Sequence, residues 1–171
     1  MKNIFVLIMI FVLSSFYIKA QDYKYFIVDT SLVGRVELKP LSNENRVYNE
    51  KGTYVYLKNG YEKYIVQALK ILAAVIPVDI WNQIEVRDKE KLSFIVYFDK
   101  TGYVFKMDLM IPDDIFAHTT EEQWNEFCNQ FKAVNVLKYV EVTDYDKKTF
   151  VHSMMSVRPY RYLKNNPEKF K

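Results

Sequence analysis

From Leu92 to Ile111 the chain alternates apolar and polar residues about a tight polar break at Asp99-Lys100-Thr101-Gly102. Asp at the first and Gly at the fourth position suit a type I turn closed by a glycine bulge, so the pattern predicts a β-hairpin. If Phe98 faces Tyr103, then Val96 faces Phe105, Phe94 faces Met107 and Leu92 faces Leu109, which gives the hairpin one apolar face. The other face pairs Ser93 with Asp108, Ile95 with Lys106 and Tyr97 with Val104. It is mixed, and is expected to meet water.

Two helical patterns flank the hairpin. Tyr61, Tyr64, Ile65, Ala68, Leu69, Leu72 and Val75 repeat at the spacing of one helical face, and Pro77 should end the run. Asn59-Gly60 just before it suits either a hairpin turn or a helix start. Glu62, three residues after Asn59, favours the helix through a capping box. After Pro112, Asp113 and Asp114 break the second hairpin strand, Thr119 or Thr120 opens another helix, followed three residues later by Glu122 or Gln123. Its apolar stripe is Trp124, Phe127, Cys128 and Phe131; Glu121, Glu122, Asn125, Glu126 and Asn129 form its wet side.

Shorter alternating runs predict strands over Tyr23 to Val28, Gly34 to Leu38, Thr53 to Leu57, Val136 to Val142 and Thr149 to Val157. Together these elements predict a single α+β domain over 21–171: an antiparallel sheet centred on the hairpin 92–111, with two helices packed on one face. A basic segment at 158–171, containing Arg158, Arg161, Lys164, Lys169 and Lys171, is expected to be a solvated tail.

The N-terminal pattern differs in kind. Met1, Lys2 and Asn3 lead into an apolar run from Ile4 to Leu13, and Ser14 to Lys19 close on Ala20 before Gln21. A positive start, a short apolar stretch and a small residue at the cut are the parts of a secretory signal peptide, so cleavage after Ala20 and export to the periplasm or cell exterior are expected. The alternative is an uncleaved anchor, but Ile4 to Ile18 is shorter than the about 20 apolar residues of a spanning helix. A lipidated cysteine is excluded at the cleavage site, because Cys128 is the only cysteine. No stable membrane anchor is therefore expected.

Charge narrows the partners only weakly. The chain carries 24 basic and 21 acidic groups, and loss of Lys2 and Lys19 with the leader brings them closer to balance. No nucleic-acid partner is expected. A lone cysteine forms no internal disulfide, so stability rests on packing; half of the 171 residues are apolar, enough for one core.

Candidate chemistry is sparse. A hydrolytic nucleophile needs an adjacent base, and only His118 and His152 are present. Cys128 falls on a buried helical stripe, Ser153 points away from neighbouring His152 in a strand, and no Gly-x-Ser-x-Gly elbow occurs. Asp114 and His118 stand four apart beside Asp113, the spacing at which one helical turn could offer a carboxylate and an imidazole to a metal; Asp residues after a strand more often cap helices. Glu121, Glu122 and Glu126 share one polar helix face, where solvation explains them without a glycosidase pair. No cofactor is implied by any motif. Tyrosine is abundant, 14 in all, and Tyr97 on the mixed hairpin face is the leading candidate for ligand contact.

The run Ile95-Val96-Tyr97-Phe98-Asp99-Lys100-Thr101-Gly102-Tyr103-Val104, within the order helix, strand, hairpin, helix, strand across Tyr61 to Val142, resembles the C-terminal domain of TonB-like proteins. That resemblance implies a binding module able to accept a partner strand at a sheet edge. The family's Tyr-Pro and Gly-x-Val landmarks and its proline-rich spacer are absent, so energy transmission across an envelope is not implied. Lys19-Ala20-Gln21 is similar to the signal-peptide ends of small exported proteins of Bacteroidota-type bacteria, many of them uncharacterised. The function expected from these readings is an exported, non-catalytic binding protein of the bacterial envelope whose partner is an envelope protein strand or a glycan. The rival expectation is an envelope hydrolase built from scattered carboxylates and His118.

Overall fold

The computed structural model describes residues 23–41, 53–54, 57–58, 60–84, 91–139, 141–142, 150–157 and 163. The expected leader at 1–20 and, Leu163 apart, the expected tail at 158–171 lie outside these residues. No helix among the described residues is long and apolar enough to cross a membrane.

The fold is α+β. Strands β1 (Phe26–Asp29), β2 (Arg35–Pro40), β3 (Thr53–Tyr54) and β4 (Leu57–Lys58) precede helices α1 (Tyr61–Val75) and α2 (Val78–Gln83). The central hairpin follows as β5 (Leu92–Asp99) and β6 (Val104–Pro112), then α3 (Asp113–Ala117), α4 (Glu121–Lys132), a 3-10 turn (Val136–Lys138), β7 (Glu141–Val142) and β8 (Phe150–Val157). Six strands form one sheet in the order β1-β2-β6-β5-β8-β3, while β4 and β7 pair separately. Within the larger sheet only β3 runs parallel to its neighbour, β8.

The hairpin forms where its pattern placed it, but in a different register. Phe94 faces Leu109 and Val96 faces Met107, two residues from the expected pairing, and a bulge between Tyr97 and Phe98 brings Phe98 opposite Val104. Side-chain direction has period two, so the two-residue shift keeps Met107 and Leu109 on the core face. The bulge leaves Phe105 as the extra residue, and Val104 enters the core in its place. Tyr103, expected beneath the helices, is 56% exposed.

The opposite hairpin face also departs from expectation. Ser93, Lys106 and Asp108 are buried there rather than wet. A buried ion pair is tolerated when its groups are also hydrogen-bonded, and Asp108 Oδ2 accepts from both Tyr97 Oη at 2.9 Å and Lys106 Nζ at 3.2 Å. Ser93 and Ser156 link β5 to β8 through their hydroxyls at 2.9 Å.

Helix α1 begins at Gly60 in the left-handed region, φ 80°, with no side-chain cap, so the Asn59–Glu62 capping box is not what starts it. Its buried face is Tyr64, Ala68, Leu69 and Leu72, and it ends at Val75 before Pro77. Pro77 then starts α2, an element the pattern did not reveal. Its Trp81 is buried and donates Nε1–H to the carbonyl of Ile76 at 3.1 Å. Helix α4 has the expected start at Thr120, where the Thr120 side chain accepts from Gln123 N and the Gln123 side chain accepts from Thr120 N. Phe94 meets Phe127 and Phe131 edge-on at 5.9 and 5.5 Å, which seats α4 on β5; Phe131 in turn meets Tyr64 of α1 at 5.1 Å.

The strand expected over Val136 to Val142 is a 3-10 turn followed by the short β7. Asn135 explains the change. Its Nδ2 donates to the carbonyl of Thr101 at 2.7 Å and Val136 N donates to that of Gly102 at 2.8 Å, so this segment clamps the hairpin tip instead of joining the sheet. Leu163 is buried in the core and ties the basic C-terminal segment to the fold at that point.

Candidate functional site

The start of β1, the end of β2 and one side of α4 frame a half-open cleft of about 220 Å³. Asn125, Cys128, Asn129 and Lys132 line it from α4, at the i, i+3, i+4 and i+7 positions of one helix face. Cys128 also belongs to the apolar stripe. The polar lining is therefore the flank of that stripe, turned toward β1 by the packing of Trp124, Phe127 and Phe131 into the core.

The facing wall is Lys24, Tyr25 and Phe26, with Pro40 and Leu41 beside them. What holds this wall is Glu121. Its carboxylate accepts the main-chain N–H groups of Lys24, Tyr25 and Phe26 at 2.9, 2.6 and 3.0 Å, and Leu41 N donates to the Tyr25 carbonyl at 2.8 Å. Glu121 thus serves the sheet edge, not only the wet side of its helix. Burial pushes the Cys128 thiol up to about 12, with Lys132 pulling the other way, so the thiol is protonated at neutral pH. Lys24 is exposed, with its ammonium 4.9 Å from the centre of the Tyr25 ring. The Tyr25 side chain, ahead of Glu122 and Glu121, holds its pKa above the ordinary lysine value.

The residues singled out by pattern lie elsewhere. Tyr97 is half-buried on the far side of the sheet, its hydroxyl donated to Asp108 and its ring 4.7 Å beneath the Lys106 ammonium. Asp114 and His118 do share a turn of α3, but His118 Nδ1 meets the main-chain carbonyl of Asp114 at 2.7 Å, while the Asp114 carboxylate accepts from Ile115 N at 2.9 Å. No carboxylate–imidazole pair is formed. Among the described residues no group of three His, Cys, Asp or Glu side chains is placed to hold a metal. His152 occupies the register position opposite Tyr97.

The cleft was not legible from the chain because it joins segments about a hundred residues apart. Its only local trace was Asn125 and Asn129 beside the apolar stripe, which solvation explained equally well.

No protein-family model and no curated protein matches the chain. By fold it is similar to a DUF5043 family protein from Bacteroides uniformis ATCC 8492, with a TM-score of 0.54 over 81% of this chain and 93% of that one. The two sequences are 12% identical, so the likeness is one of fold.

Proposed function

We propose that this chain is an exported, non-catalytic binding protein of the bacterial envelope, and that it holds its ligand in the cleft between α4 and the open end of the β1–β2 hairpin. The observation that carries the reading is the lining: two lysines, two asparagines and a tyrosine around a space of about 220 Å³. These are recognition groups, and the Cys128 thiol beside them is kept protonated by burial. The leader pattern at 1–20 supports an envelope location.

A second reading rests on β1 itself. Among the described strands it lies at the sheet edge, and Ile27 on it is 56% exposed, so an envelope protein strand could add there by main-chain pairing, the role implied by the TonB-like resemblance. The hydrolase alternative needs a general base, and His118 would have to supply it through Nε2, with Nδ1 held by the Asp114 carbonyl.

The test is capture by the purified protein on glycan arrays and in envelope extracts, beside a variant carrying both Lys24→Ala and Lys132→Ala. Ligand retained by the native protein and lost by the variant supports the cleft. Capture unchanged in the variant moves the site to the β1 edge, and hydrolysis abolished by His118→Ala overturns the binding reading. Intact-mass measurement of the exported product should give a chain beginning at Gln21; a full-length chain in the membrane fraction would end the export proposal.

A further inference from the structure

We infer that the cleft recognises a single acidic sugar unit, a pyranose-sized ring bearing a carboxylate or phosphate among its hydroxyls. The inference rests on the binding reading above and names its ligand. Charge comes first. Lys24 and Lys132 stand on opposite walls, and none of the lining residues is acidic. The nearby acids lie outside the lining: Glu122 and Glu121 act on Lys24, Glu121 while accepting three main-chain N–H groups, and Asp108, paired with Lys106, acts on Cys128. With two lysines and no carboxylate, the lining itself favours an anionic group on the ligand and opposes a metal cation.

The remaining lining fits a sugar body. Asn125 and Asn129 lie one helical turn apart, and each amide offers two donors and an acceptor, the mixed set that vicinal hydroxyls require. Tyr25, Pro40 and Leu41 supply apolar surface for the C–H face of a ring, and Leu41 is 41% exposed. Size is consistent: drug-sized ligands occupy clefts of roughly 300–1,000 Å³, and a cleft of about 220 Å³ admits one ring.

The test is titration of the purified protein with D-glucuronate, D-glucose 6-phosphate and D-glucose, followed by calorimetry and by the side-chain amide NMR signals of Asn125 and Asn129. At least one acidic sugar should bind about tenfold or more tighter than glucose, shift both amide signals and weaken as salt rises. The carboxylate and phosphate arms decide which anion is preferred. Lys24→Gln and Lys132→Gln should each reduce acidic-sugar affinity several-fold while leaving the weak glucose response in place; both side chains lie outside the core, so folding is checked by an unchanged melting curve. Equal affinity for glucose and the acidic sugars, or affinity unmoved in both lysine variants, overturns the inference. Failure of all three sugars alongside capture of another ligand on the arrays ends the acidic-sugar assignment and leaves the binding reading intact, whereas His118-dependent hydrolysis ends both.

Discussion

Glu121, the first residue of α4, accepts the main-chain N–H of Tyr25 at 2.6 Å across a sequence separation of 96 residues. The same carboxylate takes the N–H groups of Lys24 and Phe26, so one side chain satisfies the start of an edge strand and fixes it to a helix. Charge-assisted bonds of this kind are stronger than neutral ones, and the donors they leave behind are costly when partly buried. Glu121→Ala is expected to destabilise the protein by about 1–3 kcal/mol, with Glu121→Gln recovering part of the loss. Denaturant unfolding of the three proteins measures it, and amide exchange at Tyr25 and Phe26 should rise selectively in the alanine variant.

Gly102 is held by two independent constraints. Its φ of +83° favours glycine, and a Cβ there would lie 2.6 Å from Asn135 Oδ1 and 2.7 Å from Leu137 Cγ. Gly34, at φ +75°, has open space around the same atom. Gly102→Ala should therefore cost more than Gly34→Ala, whose penalty is the backbone strain of about 1–3 kcal/mol alone. Thermal melts of the two variants rank them, and an equal loss would show that the clamp by Asn135 gives way freely.

The hairpin, α1 and α4 were legible because each carries a repeated local pattern: alternation from Leu92 to Ile111, the spacing from Tyr64 to Leu72, and the Thr120–Gln123 capping pair. What was lost is tertiary. The bulge beside Phe98 changes which of Val104 and Phe105 enters the core, and turn chemistry alone did not specify it. Val136 has the composition of a strand residue yet starts a 3-10 turn, because bonding to Gly102 and capping by Asn135 replace a ladder partner. Lys106 and Asp108 read as wet because Tyr97, which bonds Asp108 and lies opposite Lys106, comes beside them only in the observed register. The cleft follows the same logic: Lys24 and Lys132 come to line one space only because Glu121 fastens the start of β1 to α4.

Trp124 and Cys128 share the buried face of α4, the indole fully buried and its Nε1–H donated to Thr119 Oγ1 at 2.7 Å. Trp124→Ala should cost about 3–5 kcal/mol, the range for emptying a large aromatic site. Thr119→Val should cost less, leaving one buried donor without its acceptor. Cys128, 3% exposed with its thiol pushed up to about 12, should label slowly in the native protein and quickly in denaturant. Fast native labelling would contradict its burial.

Asp99 closes the hairpin, and its behaviour sets an acid limit. Burial opposes ionisation, but bonds from the Thr101 side chain and from the main-chain N–H groups of Thr101, Tyr103 and Gly102 outweigh it, holding the carboxyl below its ordinary 3.8. A carboxyl depressed in the fold stabilises it fully above the unfolded-state value, and that contribution fades as pH falls through the folded-state value. The stability advantage of the native protein over Asp99→Asn should thus be constant from about pH 7 to about pH 5 and shrink below about pH 4. Parallel denaturation series across that range measure the difference. An advantage that grows on acidification would have the wrong sign for a carboxylate held by N–H donors and would sink this account of the turn.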